Sequence, residues 1–381
     1  MRIAFIGGRG VASKYSGIET YYEAVGSELI GRGHQVTVYC RSYFTPKMEE
    51  FRGMRIVRIP TPRSKHFETV IHSLLSTMHA LAARYDIVHY HALGPSLFVP
   101  IIRLFGGTAV VSVQGLDWRR EKWGSVATTV LRICERTAVW FPQATIVVSR
   151  ALQQHYIKAH HAVTHYVPNG IHATERREAN AMRSWNLESR KYILFVGRFS
   201  PEKNCHLLIE AFRALDTDVK LVFAGDGPAH DPYVQRIKAA ENERILFLGY
   251  VSGEPLQELL SNAAIFVLPS TIEGLSIALL EAMSYGNCVV TSDIPENREL
   301  VDDVGYTFEN GNASDLARVL GTLLKDPAAR AEAGARAKER VDAQYRWSEI
   351  AEQTENIYRS LASGTIVPKA STDNPVALPR T

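Results

Sequence analysis

Ile265-Phe266-Val267-Leu268-Pro269, followed by Thr271-Ile272-Glu273-Gly274-Leu275-Ser276-Ile277-Ala278-Leu279-Leu280-Glu281, reads as a strand, a loop and a helix. The first run is short, apolar and closed by a proline, the pattern of a buried strand that stops where a site can open. Glu273 then falls at the carboxyl edge of that strand. Gly274 lets the backbone turn sharply and approach a ligand. The N–H groups of Leu275 and Ser276 are expected to open the helix, where free amides and the helix dipole receive phosphate. Glu281 is expected roughly two turns into that helix, pointing back at a bound hydroxyl.

The same alternation runs through the chain. Candidate strands are Arg2 to Gly7, Gln35 to Cys40, Arg55 to Pro60, Ile87 to His91, Ala109 to Gln114, Ala144 to Ser149 and Thr164 to Pro168. They continue with Tyr192 to Gly197, Lys220 to Gly225, Ile245 to Gly249, Ile265 to Pro269 and Cys288 to Ser292. Near-continuous apolar strands separated by helix-like stretches predict parallel sheets covered on both faces. A length of 381 residues exceeds what one core fills. The expectation is therefore an α/β chain of two doubly wound domains with ligand crevices at the carboxyl ends of the strands.

Pro168-Asn169-Gly170 closes the last strand of the first half, and the charged Thr174 to Glu178 reads as linker or surface helix. The expected domains are residues 1–172 and 173–345, then a final helix over 346–362. Residues 363–381 turn to Gly, Ser, Thr and Pro without periodicity and read as a disordered tail.

The net charge of +3 hides an asymmetry: residues 1–180 hold 22 Lys and Arg against 12 Asp and Glu, leaving 21 against 28 for the rest. Either the first half meets something anionic, such as a membrane surface or a phosphate-bearing acceptor, or the charges merely solvate two unequal surfaces. No nucleic-acid module accompanies the basic half, so nucleic acid is disfavoured as a partner. Cys40, Cys134, Cys205 and Cys288 form no CxxC pair and read as buried thiols in a reducing compartment. The apolar N-terminal run is too short for a signal peptide, and no stretch approaches the roughly 20 apolar residues of a membrane span. The expected location is cytoplasmic, with at most peripheral attachment at the inner membrane face. A nicotinamide-binding dehydrogenase also fits a doubly wound fold. However, Gly7-Gly8-Arg9-Gly10 is no G-x-G-x-x-G turn, and Tyr39-Cys40-Arg41 stands where a ribose-binding acid would.

The E-x7-E spacing of Glu273 and Glu281, with Gly197-Arg198-Phe199-Ser200-Pro201-Glu202-Lys203-Asn204 and Ala224-Gly225-Asp226-Gly227-Pro228, resembles the retaining, nucleotide-sugar-dependent glycosyltransferases of the GT-B fold. In the first half, Ile6 to Tyr22 and Gly115 to Gly124 resemble a subgroup associated with bacterial surface polysaccharides, rhamnosyltransferases among them. The resemblance covers residues 1 to about 360. It implies two Rossmann-like domains facing across a cleft, with the C-terminal helix crossing back to the N-terminal domain. It further implies a retaining hexosyl- or deoxyhexosyltransferase moving sugar from a nucleotide-diphosphate donor to a saccharide or lipid-linked saccharide.

Such a donor concentrates negative charge on the departing phosphate, and Arg198 and Lys203 are the residues expected to stabilise it. No Asp-x-Asp pair follows a strand as a metal site would require, so the reaction is expected to be metal-independent and without cofactor. The resemblance assigns Glu273 to donor-sugar hydroxyls and Glu281 to the ribose, although either carboxylate also suits a helix terminus electrostatically. Gly274, Leu275 and Ser276 would meet the diphosphate, and the backbone of Tyr250 and Val251 the base. Gly8 and Gly17 belong to a loop expected to approach from the other domain. With no second carboxylate for a covalent intermediate, family chemistry implies front-face retention.

On the acceptor side, His89 and His91 share a strand face, with His91 expected closer to the crevice; a buried, hydrogen-bonded histidine is the commoner fate of either. Gln114 stands where the family often carries a His, and Asp117 is the substitute candidate for orienting the acceptor. Trp118, Arg119, Arg120, Lys122 and Trp123 read either as an interfacial or acceptor-phosphate patch or as packing. Two other readings fit: a nucleotide-sugar 2-epimerase of the same architecture, which needs acid-base carboxylates in the first half, and a non-catalytic sugar-binding protein.

Overall fold

A computed structural model describes residues 1–12, 17–64, 67–120 and 123–364. The chain divides into two units, Met1–Pro168 together with Trp347 onward, and Asn169–Arg346 between them. The expected tail lies outside the described residues from 365 on.

The first unit is built on an eight-stranded sheet of β1 (Arg2–Ile6), β2 (Gln35–Arg41), β3 (Glu50–Phe51), β4 (Met54–Ile59), β5 (Ile87–His91), β6 (Ala109–Val113), β7 (Ala144–Val147) and β8 (His165–Tyr166). Their spatial order is β3-β4-β2-β1-β5-β6-β7-β8. All pairs are parallel except β3 with β4, a hairpin turning through Arg52 and Gly53, both at positive φ. That two-residue β3 is too short to show a period and was not expected from the sequence. The central strands are buried along their length because helices cover both faces.

The helix Trp347–Ala362 belongs to this unit, as the resemblance implied. It packs along the helix Gly17–Gly31 with Trp347, Ile350, Ala351 and Tyr358 buried. Its polar partners are internal too. Tyr358 Oη lies 2.5 Å from His89 Nδ1, and Glu355 accepts from His34 at 2.9 Å, Arg32 at 3.3 Å and Arg359 Nε at 2.8 Å.

The second unit carries β9 (Tyr192–Val196), β10 (Lys220–Ala224), β11 (Ile245–Phe247), β12 (Ile265–Leu268), β13 (Cys288–Ser292) and β14 (Tyr306–Phe308), ordered β11-β10-β9-β12-β13-β14 and parallel throughout. The sequence reading lacked β14, three residues at the sheet edge of which Tyr306 and Thr307 are half-buried and Phe308 buried. Phe195, Phe199, Phe223 and Phe247 form an aromatic stack in the core, the last two parallel at 4.8 Å. Strand order reverses at β9, between β10 and β12, so the loops leaving β9 and β12 diverge at the carboxyl edge and leave a crevice. Thr174 to Glu178 form no helix. That stretch has no regular secondary structure, with Thr174 Oγ1 donating to Ser284 O and the Arg177 amide to Ser261 Oγ.

Candidate active site

The loop after β9 is shaped by a close backbone crossing. A Cβ on Gly225, which is at positive φ beyond β10, would stand 1.8 Å from the carbonyl oxygen of Gly197, so only glycine fits. The Phe199 amide donates to Asp226 O, and the buried Phe199 ring anchors the loop in the core. Ser200 to Lys203 then make one tight turn, closed by Asn204 in the left-handed region, before the helix Cys205–Arg213 begins.

The loop after β12 meets it. Thr271 donates its amide to Glu202 O at 2.9 Å, tying the two loops together. Lys203 Nζ and Glu273 Oε1 are 2.5 Å apart, with side-chain exposures of 18% and 9%. The sequence placed these residues 70 positions apart in different loops; the topology makes them an ion pair. Arg198 is half-buried in the same loop as Lys203.

The helix itself starts later than expected. It spans Ile277–Ser284, and Ser276 is its N-cap, its hydroxyl accepting from the Leu279 amide at 3.3 Å. Leu275 and Ser276 therefore precede the helix, and its first-turn amides are those of Ile277 and Ala278. Glu281 is the fifth helical residue, little more than one turn in rather than two, and half-buried. Gly274 and Leu275 are buried beneath the loop. Asn169, which the sequence reading took only as a turn residue, donates through Nδ2 to Leu275 O at 3.1 Å and so fixes this loop. No local pattern announces that role, since its partner is 106 residues away.

Tyr250 and Val251 follow β11 at the same edge. Gly249 bridges Gly225, and the Tyr250 hydroxyl donates to Asp226 O at 3.4 Å while its ring is largely exposed.

In the first unit, the Gly8 amide donates to Tyr22 Oη at 3.0 Å, and a Cβ on Gly8 would stand 2.7 Å from the Tyr22 ring. The Arg9 amide donates to the buried Glu19, and the Ala12 amide to Glu23. These amides are engaged by side chains of the helix that Gly17 opens; residues 13–16 of the loop lie outside the described residues.

His91 is fully buried. Its ring packs on Tyr22, Tyr21 and Phe5 at 4.8, 5.0 and 5.3 Å, and neither ring nitrogen has a hydrogen-bond partner among the described residues. Burial, and then the neighbouring His89, hold its pKa well below the ordinary value. The ring is neutral and packed among aromatic side chains of the core. His89 is equally buried but satisfied, between Tyr358 Oη and Ser112 Oγ.

Gln114 follows β6 half-buried, and Asp117 opens a tight turn, paired with Arg120 at 3.2 Å. Arg132 and Arg119 lie over the Trp118 ring at 4.8 and 5.4 Å, two cation–π contacts to one ring. Lys122 lies outside the described residues.

Residues 177–340 match the family Glycosyl transferases group 1, and residues 15–175 match Glycosyltransferase Family 4. An uncharacterised glycosyltransferase of Methanocaldococcus jannaschii is 26% identical over 94% of this chain and 98% of its own length. Among solved structures, sucrose-phosphate synthase from Thermosynechococcus elongatus superposes with a TM-score of 0.82 at 22% identity, covering 95% of this chain and 99% of that one. The Anabaena protein HepE in complex with UDP and glucose gives 0.79 at 19% identity over 94% of this chain and all of the other. The two family matches occupy the two halves in order, and the fold neighbours span both. With the strand-end loops in the arrangement above, they place residues 177–340 with the group 1 glycosyltransferases and give the chain a GT-B fold.

Proposed function

We propose that this glycosyltransferase moves a hexosyl or deoxyhexosyl unit from a nucleoside-diphosphate sugar to a saccharide or lipid-linked saccharide, with retention, in surface polysaccharide biosynthesis. The observation that supports this reading most is the Lys203–Glu273 pair at the switch point of the second sheet. A cation and a hydroxyl acceptor joined at a strand edge are what a sugar diphosphate needs on its two sides. On donor binding, Lys203 turns to the phosphate and Glu273 to the sugar hydroxyls, each exchanging its partner without leaving a bare charge. Arg198 and the first turn of the helix Ile277–Ser284 add positive potential to the leaving diphosphate, and Glu281 takes the ribose. The donor is thereby handled without a metal. The departing phosphate oxygen takes the acceptor's proton as the sugar is captured on the same face, so the protein's part is positioning and charge stabilisation.

A lipid-linked acceptor is supported by the outer surface of the first unit. Val126, Val130, Ile133 and Trp140 are exposed along the helix Ser125–Trp140, with Leu104 and Phe105 exposed at the end of the helix Val99–Leu104. Apolar side chains interleaved with Arg103, Arg132 and Arg136 suit peripheral contact with an anionic membrane. Among the described residues no helix is long and apolar enough to cross one.

Thermal melting with millimolar UDP, GDP, ADP and dTDP tests the donor reading, because a ligand at 100 times its dissociation constant adds about 2.7 kcal/mol. One nucleotide is expected to raise the midpoint, with the shift unaffected by chelator and lost in Lys203→Ala and Glu281→Ala. A shift with NAD or free saccharide alone would overturn it.

A further inference from the structure

We propose that Glu135, His155 and His160 form a divalent metal site of the zinc class in the first unit, separate from the donor-binding loops. Glu135 lies on the buried side of the helix Ser125–Trp140 and is 4% exposed. His155 and His160 come from the helix Arg150–His160, whose end is fixed by His161 in the left-handed conformation. Both imidazoles turn the same nitrogen to the same oxygen: Glu135 Oε1 is 2.6 Å from His155 Nε2 and 3.2 Å from His160 Nε2. All three ligand atoms lie within 4.8 Å of one another.

Two histidines and a carboxylate are a ligand set that zinc takes at about 2.0–2.2 Å, which leaves the fourth tetrahedral position for water. At those bond lengths the ligand atoms stand roughly 3.3–3.6 Å apart, so the two Glu135–imidazole contacts need to widen by about 1 Å or less, while the two imidazole nitrogens, within 4.8 Å of each other, settle to the same spacing. The chemistry is matched as well. Each neutral imidazole offers its Nε2 lone pair with the proton on Nδ1, and the buried carboxylate supplies one negative charge that an ion neutralises more completely than two N–H donors. The His155 and His160 side chains keep 21% and 12% of their surface in solvent, which provides a way in for the ion and room for its water.

Tyr156 sits between the two ligands in sequence and packs on both rings at 5.5 and 5.6 Å. Its buried hydroxyl has no hydrogen-bond partner among the described residues, a deficit that a hydrated ion nearby can fill. The adjacent Cys134 thiol is directed elsewhere, to Gly94 O at 3.8 Å, and so stays outside the ligand set. An ion here would clamp the helix Ser125–Trp140, which also packs on the Asp117–Arg119 turn, to the helix that follows β7.

The test uses the full chain, stripped with chelator and titrated with Co2+ and then Zn2+. The expected result is one Co2+ per chain with the strong visible absorption of a four-coordinate site, displaced by Zn2+, and a thermal midpoint raised by either ion. His155→Phe and His160→Phe should each abolish the absorption while retaining native circular dichroism, and His161→Ala and Cys134→Ser should keep it. Glu135→Gln should also lose it; if that variant fails to fold, the two histidine variants decide the matter. Absence of Co2+ uptake, uptake surviving both histidine variants, or loss of the signal on Cys134→Ser would overturn the proposal and leave only a carboxylate-imidazole clasp.

Discussion

The two units bury different chemistry. The second is filled mainly by aliphatic side chains and a phenylalanine stack, with Glu202 and Glu258 its buried carboxylates, and its proposed functional polar groups collect at the strand ends. The first places His72, His89, His91, Glu19, Glu135 and Glu355 inside and shows apolar side chains outward, from Val70 and Met78 on the helix Glu68–Ala83 to Trp140. A mainly apolar interior holds loops in place with little dependence on pH, which suits the site proposed above to present fixed charges to a sugar diphosphate. A titratable interior makes the surrounding fold answer to protonation. The units should therefore come apart energetically when conditions change.

Acid is the largest lever. Burial lowers the pKa of both His72 and His89 to about 3. The folded state then binds fewer protons than the unfolded one between about 3 and the ordinary value near 6.5. Their contribution is complete above about pH 6.5 and is lost as pH falls, at about 1.4 kcal/mol per pH unit for each histidine. At pH 5 the first unit should be weaker by about 4 kcal/mol relative to neutral pH. Hydrogen exchange at the two pH values should show amides of β1, β5 and β6 losing protection before those of β9, β10 and β12. Equal loss in both units would break the comparison.

The second unit is sensitive instead to loss of single charges. Lys203→Ala should reduce turnover by about 100- to 1000-fold, or about 3–4 kcal/mol, by analogy with removing one oxyanion donor. Glu273→Gln should fall in the same range. Because the two side chains are paired, the double variant should cost clearly less than the sum, a coupling that steady-state kinetics on the four forms of the cycle reads directly. Additive losses would show that the pair seen in this structure has no part in the working site.

Legibility in the sequence divides along the same line. Ile265 to Pro269 and Tyr192 to Gly197 announced their strands because buried parallel strands are continuous apolar runs, and the glycines at their ends mark backbone crossings such as Gly197 on Gly225. β3 and β14 were missed because two or three residues carry no period. Periodicity put His91 on the right face of β5 but says nothing of what covers that face, and the aromatic rings of Tyr21 and Tyr22 close it. The helix start was misread by two residues, Leu275 instead of Ile277, because Gly-Leu-Ser-Ile is compatible with either start, and only the hydroxyl contact of Ser276 to Leu279 decides. Long-range partners such as Asn169 with Leu275, or Glu135 with His155 and His160, have no local signature at all.

The crossing helix offers a smaller test of the first unit. Burial works to raise the Glu355 carboxyl, yet hydrogen bonds from His34 and Arg359 hold it down to about 2. A lowered carboxylate stabilises fully above its unfolded value near 4.5 and loses that contribution as pH falls toward 2. Glu355→Gln should cost about 2 kcal/mol at neutral pH, since it leaves buried donors poorly matched. Chemical denaturation should show that cost shrinking toward zero near pH 2, where the native carboxyl is itself protonated.

The smallest expected effect separates folding from binding at the donor loop. Ser276→Ala removes the N-cap of the helix Ile277–Ser284 and should lower stability by about 1 kcal/mol. In the structure its hydroxyl is engaged with the Leu279 amide, so it is not directed at a ligand. If the cap only positions the first-turn amides, the variant should melt earlier while its affinity for the stabilising nucleotide falls no more than a few-fold. Ser276→Asp, an equally good cap that adds negative charge, should restore the melting point and weaken nucleotide binding through repulsion of the diphosphate. Restored stability with undiminished affinity would place the phosphates elsewhere than at this helix.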